Sequence, residues 1–155
     1  MPLTNHGKIA LAHAMFFKGK SFLAAGILLD RDNGHKDVVL YLICQGLEIL
    51  QKSLLMLRDC NKYGEEKLKK IGHDLMKGSD ELINLYQFRP LKTSVREELK
   101  AVNAYYSDEK RKDPLRYFGI HDIFGGHSLT INLVVRRSLA LIRLGERFFI
   151  KARFA

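Results

Sequence analysis

Between Leu40 and Leu57 the apolar residues Leu40, Ile43, Leu47, Leu50, Leu54 and Leu57 alternate spacings of three and four. Such a stripe stays on one side of an α-helix and has no counterpart in the two-residue period of a strand. Val39, Leu42, Ile49, Leu55 and Met56 carry the apolar surface beyond the stripe. A helix apolar nearly all round belongs at the centre of a bundle. Glu48 and Lys52 lie within this run, one turn apart. A charge buried alone in an apolar stripe is costly, so the two are expected to pair.

The same reasoning extends to the rest of the chain and predicts five helices and no strand. The first spans about Asn5 to Asp30, with Thr4 or Asn5 able to cap its free N–H groups. Its positions Ile9, Ala12, Phe16, Leu23 and Ile27 keep helical spacing. Asp32-Asn33-Gly34 then reads as a turn, because these residues tolerate a left-handed backbone. The second helix spans about Lys36 to Cys60. A third helical region, Glu65 to Tyr86, is expected to break at Gly78 and to close at Pro90. A fourth covers Thr93 to Tyr106, and the last covers Ser128 to Arg153. Between these two, Ser107 to Gly126 is the least regular stretch, with Pro114, Gly119, Gly125 and Gly126. A connection of that length in a small domain is usually functional or mobile. The only other proline is Pro2.

A length of 155 residues with 46% hydrophobic content suits one folded domain, residues 1–155, rather than disorder. The start, Met1 to His6, lacks the basic flank and apolar run of a secretory signal. No run is read as approaching the roughly 20 apolar residues of a membrane span. Cys44, in an apolar helical run, reads as a buried thiol rather than half of a disulfide with Cys60. A reducing cytoplasm with no membrane association is the expectation.

Net charge is +9, and its placement is uneven. From Leu91 onward 13 basic residues face 7 acidic ones, and from Ser128 onward Arg136, Arg137, Arg143, Arg147, Lys151 and Arg153 face Glu146 alone. On a helical projection Arg136, Arg143, Arg147 and Lys151 fall within about 80° of one another, with Arg137 at their edge. Arginine pairs with phosphate oxygens in two-point geometry, so this face is a candidate polyanion surface; the plain alternative is a solvated basic face. On the opposite, apolar face, Ser138, Gly145 and Ala152 repeat every seven residues. Small side chains there admit a close neighbour, either in the same chain or in a second subunit.

The opening of the next helical region, Lys70-Ile71-Gly72-His73-Asp74-Leu75, supplies a second polar group. Glu48, Lys52, His73 and Asp74 form either a functional polar cluster or an i,i+4 ion pair with a helix-start motif, the latter being worth a few tenths of a kcal/mol. Tyr105-Tyr106 and Tyr117-Phe118 have faces that stack on bases or pack in a core. His121-Asp122 and His127 do not make metal-ligand spacing, and no His-x-x-x-His or Cys-x-x-Cys occurs. No metal and no cofactor is implied.

Gly46-Leu-Glu-x-Leu-x-Lys-x-Leu-Leu55 on a buried helix, followed by Lys70-x-Gly-His-Asp-Leu75, resembles the HEPN superfamily. The resemblance covers most of the chain. It implies a small antiparallel up-and-down helical bundle, usually a homodimer, from a prokaryotic stress, defence or toxin–antitoxin system. An RNA or nucleotide ligand and an antitoxin-like partner protein follow from the same likeness. Active members are metal-independent endoribonucleases with an Arg and a His four to six residues apart near the last helix. Arg116-Tyr-Phe-Gly-Ile-His121 has that spacing. Arg116 would hold the scissile phosphate, and His121 would move the proton of the attacking 2′-hydroxyl or of the leaving oxygen. Tyr117 follows the Arg where the family commonly has a polar residue. The basic last helix, with Tyr117, would contact RNA.

Overall fold

The structure, a computed structural model, describes residues 3–107 and 130–153. Every regular element among them is helical, six in all: α1 (Asn5–Arg31), α2 (Lys36–Arg58), α3 (Glu65–Ile71), α4 (Leu75–Tyr86), α5 (Thr93–Tyr106) and α6 (Asn132–Arg153). Together they form a helical bundle with α2 at its centre, touching α1, α4, α5 and α6.

The most extensive pairing is α1 on α2, and glycine makes it close. A Cβ on Gly46 would stand 3.0 Å from the Gly19 carbonyl oxygen and 3.0 Å from the Leu23 nitrogen. One on Gly19 would stand 3.1 Å from the Gly46 carbonyl oxygen. Backbone therefore lies on backbone at the crossing. Nearer the N-terminus of α1, the Ser53 hydroxyl donates to the Ala12 carbonyl at 2.8 Å. Further along, Gly26 meets Ile43. These pairs run in opposite directions along the two helices. The buried stripe of α1 is Ala12, Phe16, Gly19, Leu23 and Gly26; Ile9, expected in it, is exposed.

Thr4 caps α1 by accepting from the Gly7 N–H at 3.1 Å. α2 ends at Arg58, two residues before the expected Cys60. By length and mean hydropathy, 1.4, α2 is long and apolar enough to cross a membrane, contrary to expectation; 67% of that window is buried inside the protein. Cys44 is a buried free thiol and Cys60 a partly buried one.

The break in the third helical region falls at Gly72, not Gly78. Gly72 takes φ +62, the left-handed region where a Cβ is strained. Asp74 then caps α4 by accepting from the Lys77 N–H at 3.0 Å. Gly78 lies inside α4 for a different reason: a Cβ there would reach within 2.3 Å of Gln51 Oε1. Gln51 is committed, its amide donating to the Leu75 carbonyl at 3.1 Å.

Helix α6 begins at Asn132. Its entry is capped from another helix, since Glu98 on α5 accepts from the Val134 N–H at 2.9 Å. Of the small-residue seam of α6, Gly145 meets α1 of the same chain. Ser138 is fully buried, and a Cβ on Gly145 would collide with Phe16 at 2.2 Å. Phe149 stands edge-on to Phe16, with ring centroids 4.7 Å apart. Glu146 reaches Lys20 at 2.6 Å.

Candidate functional site

Arg116, Tyr117, His121 and most of the Ser107–Gly126 stretch lie outside the described residues, as does the side chain of Lys151. The remaining candidates fall in two places.

The first is a polar centre between α2, the α3–α4 turn and the end of α5. Glu48 Oε1 accepts from Lys52 Nζ at 2.7 Å, with Glu48 only 8% and Lys52 16% exposed at the side chain. Glu48 Oε2 accepts from His73 Nδ1 at 3.0 Å and from the Tyr106 hydroxyl. Gln45 Oε1 lies 2.9 Å from the same hydroxyl. A phenol has one proton, and the carboxylate is the stronger acceptor. Burial pushes the Glu48 carboxyl up, but hydrogen bonds from Lys52, Tyr106 and His73, with the charge of Lys52, outweigh it and hold the group below its ordinary range. Burial and the adjacent carboxylate push the Tyr106 hydroxyl far above its ordinary value. Cys44, one turn before Glu48, is pushed up the same way, by burial first and Glu48 second. Neither the phenol nor the thiol ionises near neutrality, so neither is a base or a nucleophile there.

His73 is the group in this centre that faces water, 60% exposed at its side chain. A carboxylate only accepts, so Nδ1 carries the proton and Nε2 is the nitrogen left for other chemistry. Asp74 stands beside this centre rather than in it. Its Oδ1 accepts from the Lys77 N–H and from Asn103 Nδ2, the latter at 3.1 Å. Asn103 Oδ1 in turn accepts from the Leu75 N–H at 2.8 Å. The sequence pairs Glu48 with Lys52 by spacing. Gln45 lies one turn before Glu48 on the same helix, whereas Tyr106 and Asn103 join them only through tertiary contact. The Tyr106 hydroxyl is committed here.

The second place is the basic face of α6. Arg137, Arg143 and Arg147 line a groove of about 290 Å³ with Phe88, Ala140, Leu141 and Leu144. No acidic side chain among the described residues lines it. Glu146, the one acid of α6, is turned to Lys20, and Glu98 is held by the helix entry. Arg136 is exposed outside the groove. The Arg137 guanidinium lies 5.5 Å from the centre of the Phe88 ring, and Phe88 stacks on Tyr86 with centroids 5.1 Å apart. Arg137 Nε and one terminal nitrogen are buried with no hydrogen-bond partner among the described residues. Burial pulls this guanidinium below its ordinary value, yet an arginine remains charged. Phe88 was not legible as a site residue: it follows the left-handed Gln87, φ 56, that ends α4.

In comparisons with known proteins, no family model, curated protein or solved structure matches this chain.

Proposed function

We propose that this chain is a HEPN-like, up-and-down helical module that binds RNA or nucleotide phosphates, acting in a prokaryotic stress, defence or toxin–antitoxin system. The observation that carries the binding assignment is the α6 groove, where three arginines converge on an apolar floor with no acid in the lining among the described residues. Arg143 and Arg147 stand one turn apart, about 6 Å along the axis, and present their forks to successive anionic groups. Arg137, set against Phe88, adds its positive charge to the groove wall, its Nε and one terminal nitrogen being buried.

Filter binding of RNA across salt concentrations tests this reading. Affinity is expected to fall log-linearly with salt. Arg143→Ala with Arg147→Ala should lower the slope by about 1.4 for a single strand, at about 0.7 for each phosphate no longer neutralised. Absence of binding at low salt would remove the proposal, because the phosphate contribution is strongest there.

The Arg116–His121 spacing adds a catalytic reading, metal-independent cleavage of the bound RNA. Cleavage in the presence of a chelator, abolished by either Arg116→Ala or His121→Ala in folded protein, is its expected signature.

A further inference from the structure

The groove beside α6 has an apolar floor and a charged rim. Leu141 is buried and Leu144 half-buried, whereas Arg143 and Arg147 are exposed. A phosphate by itself gains nothing from such a floor, because apolar surface is stabilised by covering it with apolar surface. The side wall is a braced aromatic stack. Phe88 lies 5.1 Å from Tyr86 at an interplanar angle of 14°. The Tyr86 hydroxyl donates to the Leu54 carbonyl on α2 at 2.7 Å. An arginine lies against each ring: Arg58 is 5.6 Å from the centre of Tyr86, and Arg137 is 5.5 Å from that of Phe88. A wall held in this way loses little freedom when a ligand meets it. At about 290 Å³ the groove is at the small end of ligand pockets. That is room for one nucleotide, not for a base pair with its two sugars.

We infer that the groove takes one unstacked base of a single-stranded RNA, laid on Leu141 and Leu144 beside Phe88, with its flanking phosphates on Arg143 and Arg147. The inference rests on the phosphate-binding reading above and narrows the ligand. A duplex keeps its bases paired inside and offers the groove only phosphates, which leave the floor bare. A base-free polyanion does the same. A base of a single strand is free to splay out, and its flat apolar face fits the floor while the charge on either side of it meets the rim. Phe88 thereby becomes the residue that separates single strands from duplexes, a role it fills without touching a phosphate.

Fluorescence anisotropy on the full chain tests the inference with three end-labelled ligands of equal phosphate number: a single-stranded RNA, an RNA duplex and a base-free ribose-phosphate oligomer. The single strand should bind at least about five-fold tighter than the base-free oligomer, the margin that one buried base supplies. Phe88→Ala removes the wall and Ala140→Leu fills the groove, so each should erase that margin. Neither changes a charge, so duplex affinity and the salt slope should stay as in wild type, whereas Arg143→Ala with Arg147→Ala lowers the slope. Ala140 is exposed, so Ala140→Leu carries the test if Phe88→Ala fails to fold. Equal affinity for the base-free oligomer and the single strand overturns the inference and leaves phosphate binding standing. So does a loss in Ala140→Leu that is as large for the duplex as for the single strand. Absence of binding by all three ligands at low salt removes the phosphate reading itself, and the inference with it.

Discussion

Glu48 and Arg137 are opposite solutions to burying a charge. Glu48 is ringed by three donors, Lys52, His73 and Tyr106, and its ionised form stabilises the fold. Glu48→Gln should cost about 1–3 kcal/mol at neutral pH, since it removes the charge from a buried hydrogen-bonded pair. The dependence on pH has a definite sign. A carboxyl held below its ordinary value in the folded state stabilises above the unfolded value and loses that contribution as pH falls through the folded one. Urea midpoints of wild type and Glu48→Gln should therefore converge on acidification from about pH 5 downward. A gap that stays constant into acid would mean that the charge of Glu48 is not what holds the centre together.

Arg137 has buried donors and no hydrogen-bonded partner among the described residues, which costs stability rather than adding it. Arg137→Met keeps the apolar stem against Phe88 and discards the charge. It should leave stability unchanged or raise it by about 1 kcal/mol while weakening RNA binding. That combination separates a residue kept for binding from one kept for folding. A clear loss of stability in Arg137→Met would assign the arginine to the fold instead.

At the level of elements, the α1–α2 crossing depends on two glycines that sequence patterning alone undervalues. Glycine to alanine inside a helix normally gains about 1 kcal/mol. At Gly46 the added Cβ would press on the Gly19 carbonyl and the Leu23 backbone, neither of which can rotate away. Gly46→Ala should therefore destabilise, by about 1–3 kcal/mol in chemical denaturation, against its helix propensity. A stabilised Gly46→Ala would show that the helices separate freely at the crossing. The helices themselves were legible because their apolar periods are local: α5 falls on its expected Thr93–Tyr106 and α1 within one residue of its expected end. The misplaced boundaries come from tertiary effects. Gly78 reads as a breaker in isolation, but Gln51 fills the space a side chain would need. The start of α6 is set by Glu98, far away in sequence. The candidate site divides the same way. The i,i+4 pair and the arginine face follow from spacing on one helix, whereas Tyr106, Asn103 and Phe88 arrive from other elements and leave no local signal.

For the whole molecule, the uneven charge links stability to ligand. The arginines of α6 repel one another in the free protein, and a polyanion relieves that repulsion. Anything that binds the folded state alone stabilises it by mass action, about 2.7 kcal/mol at a hundred times its dissociation constant. Short RNA at low salt should thus raise the melting temperature of the wild-type chain, and high salt should abolish the increment by competing for the same arginines. Arg143→Ala with Arg147→Ala should melt near wild type without RNA, because both side chains are exposed and lack acidic partners among the described residues, yet respond weakly to its addition.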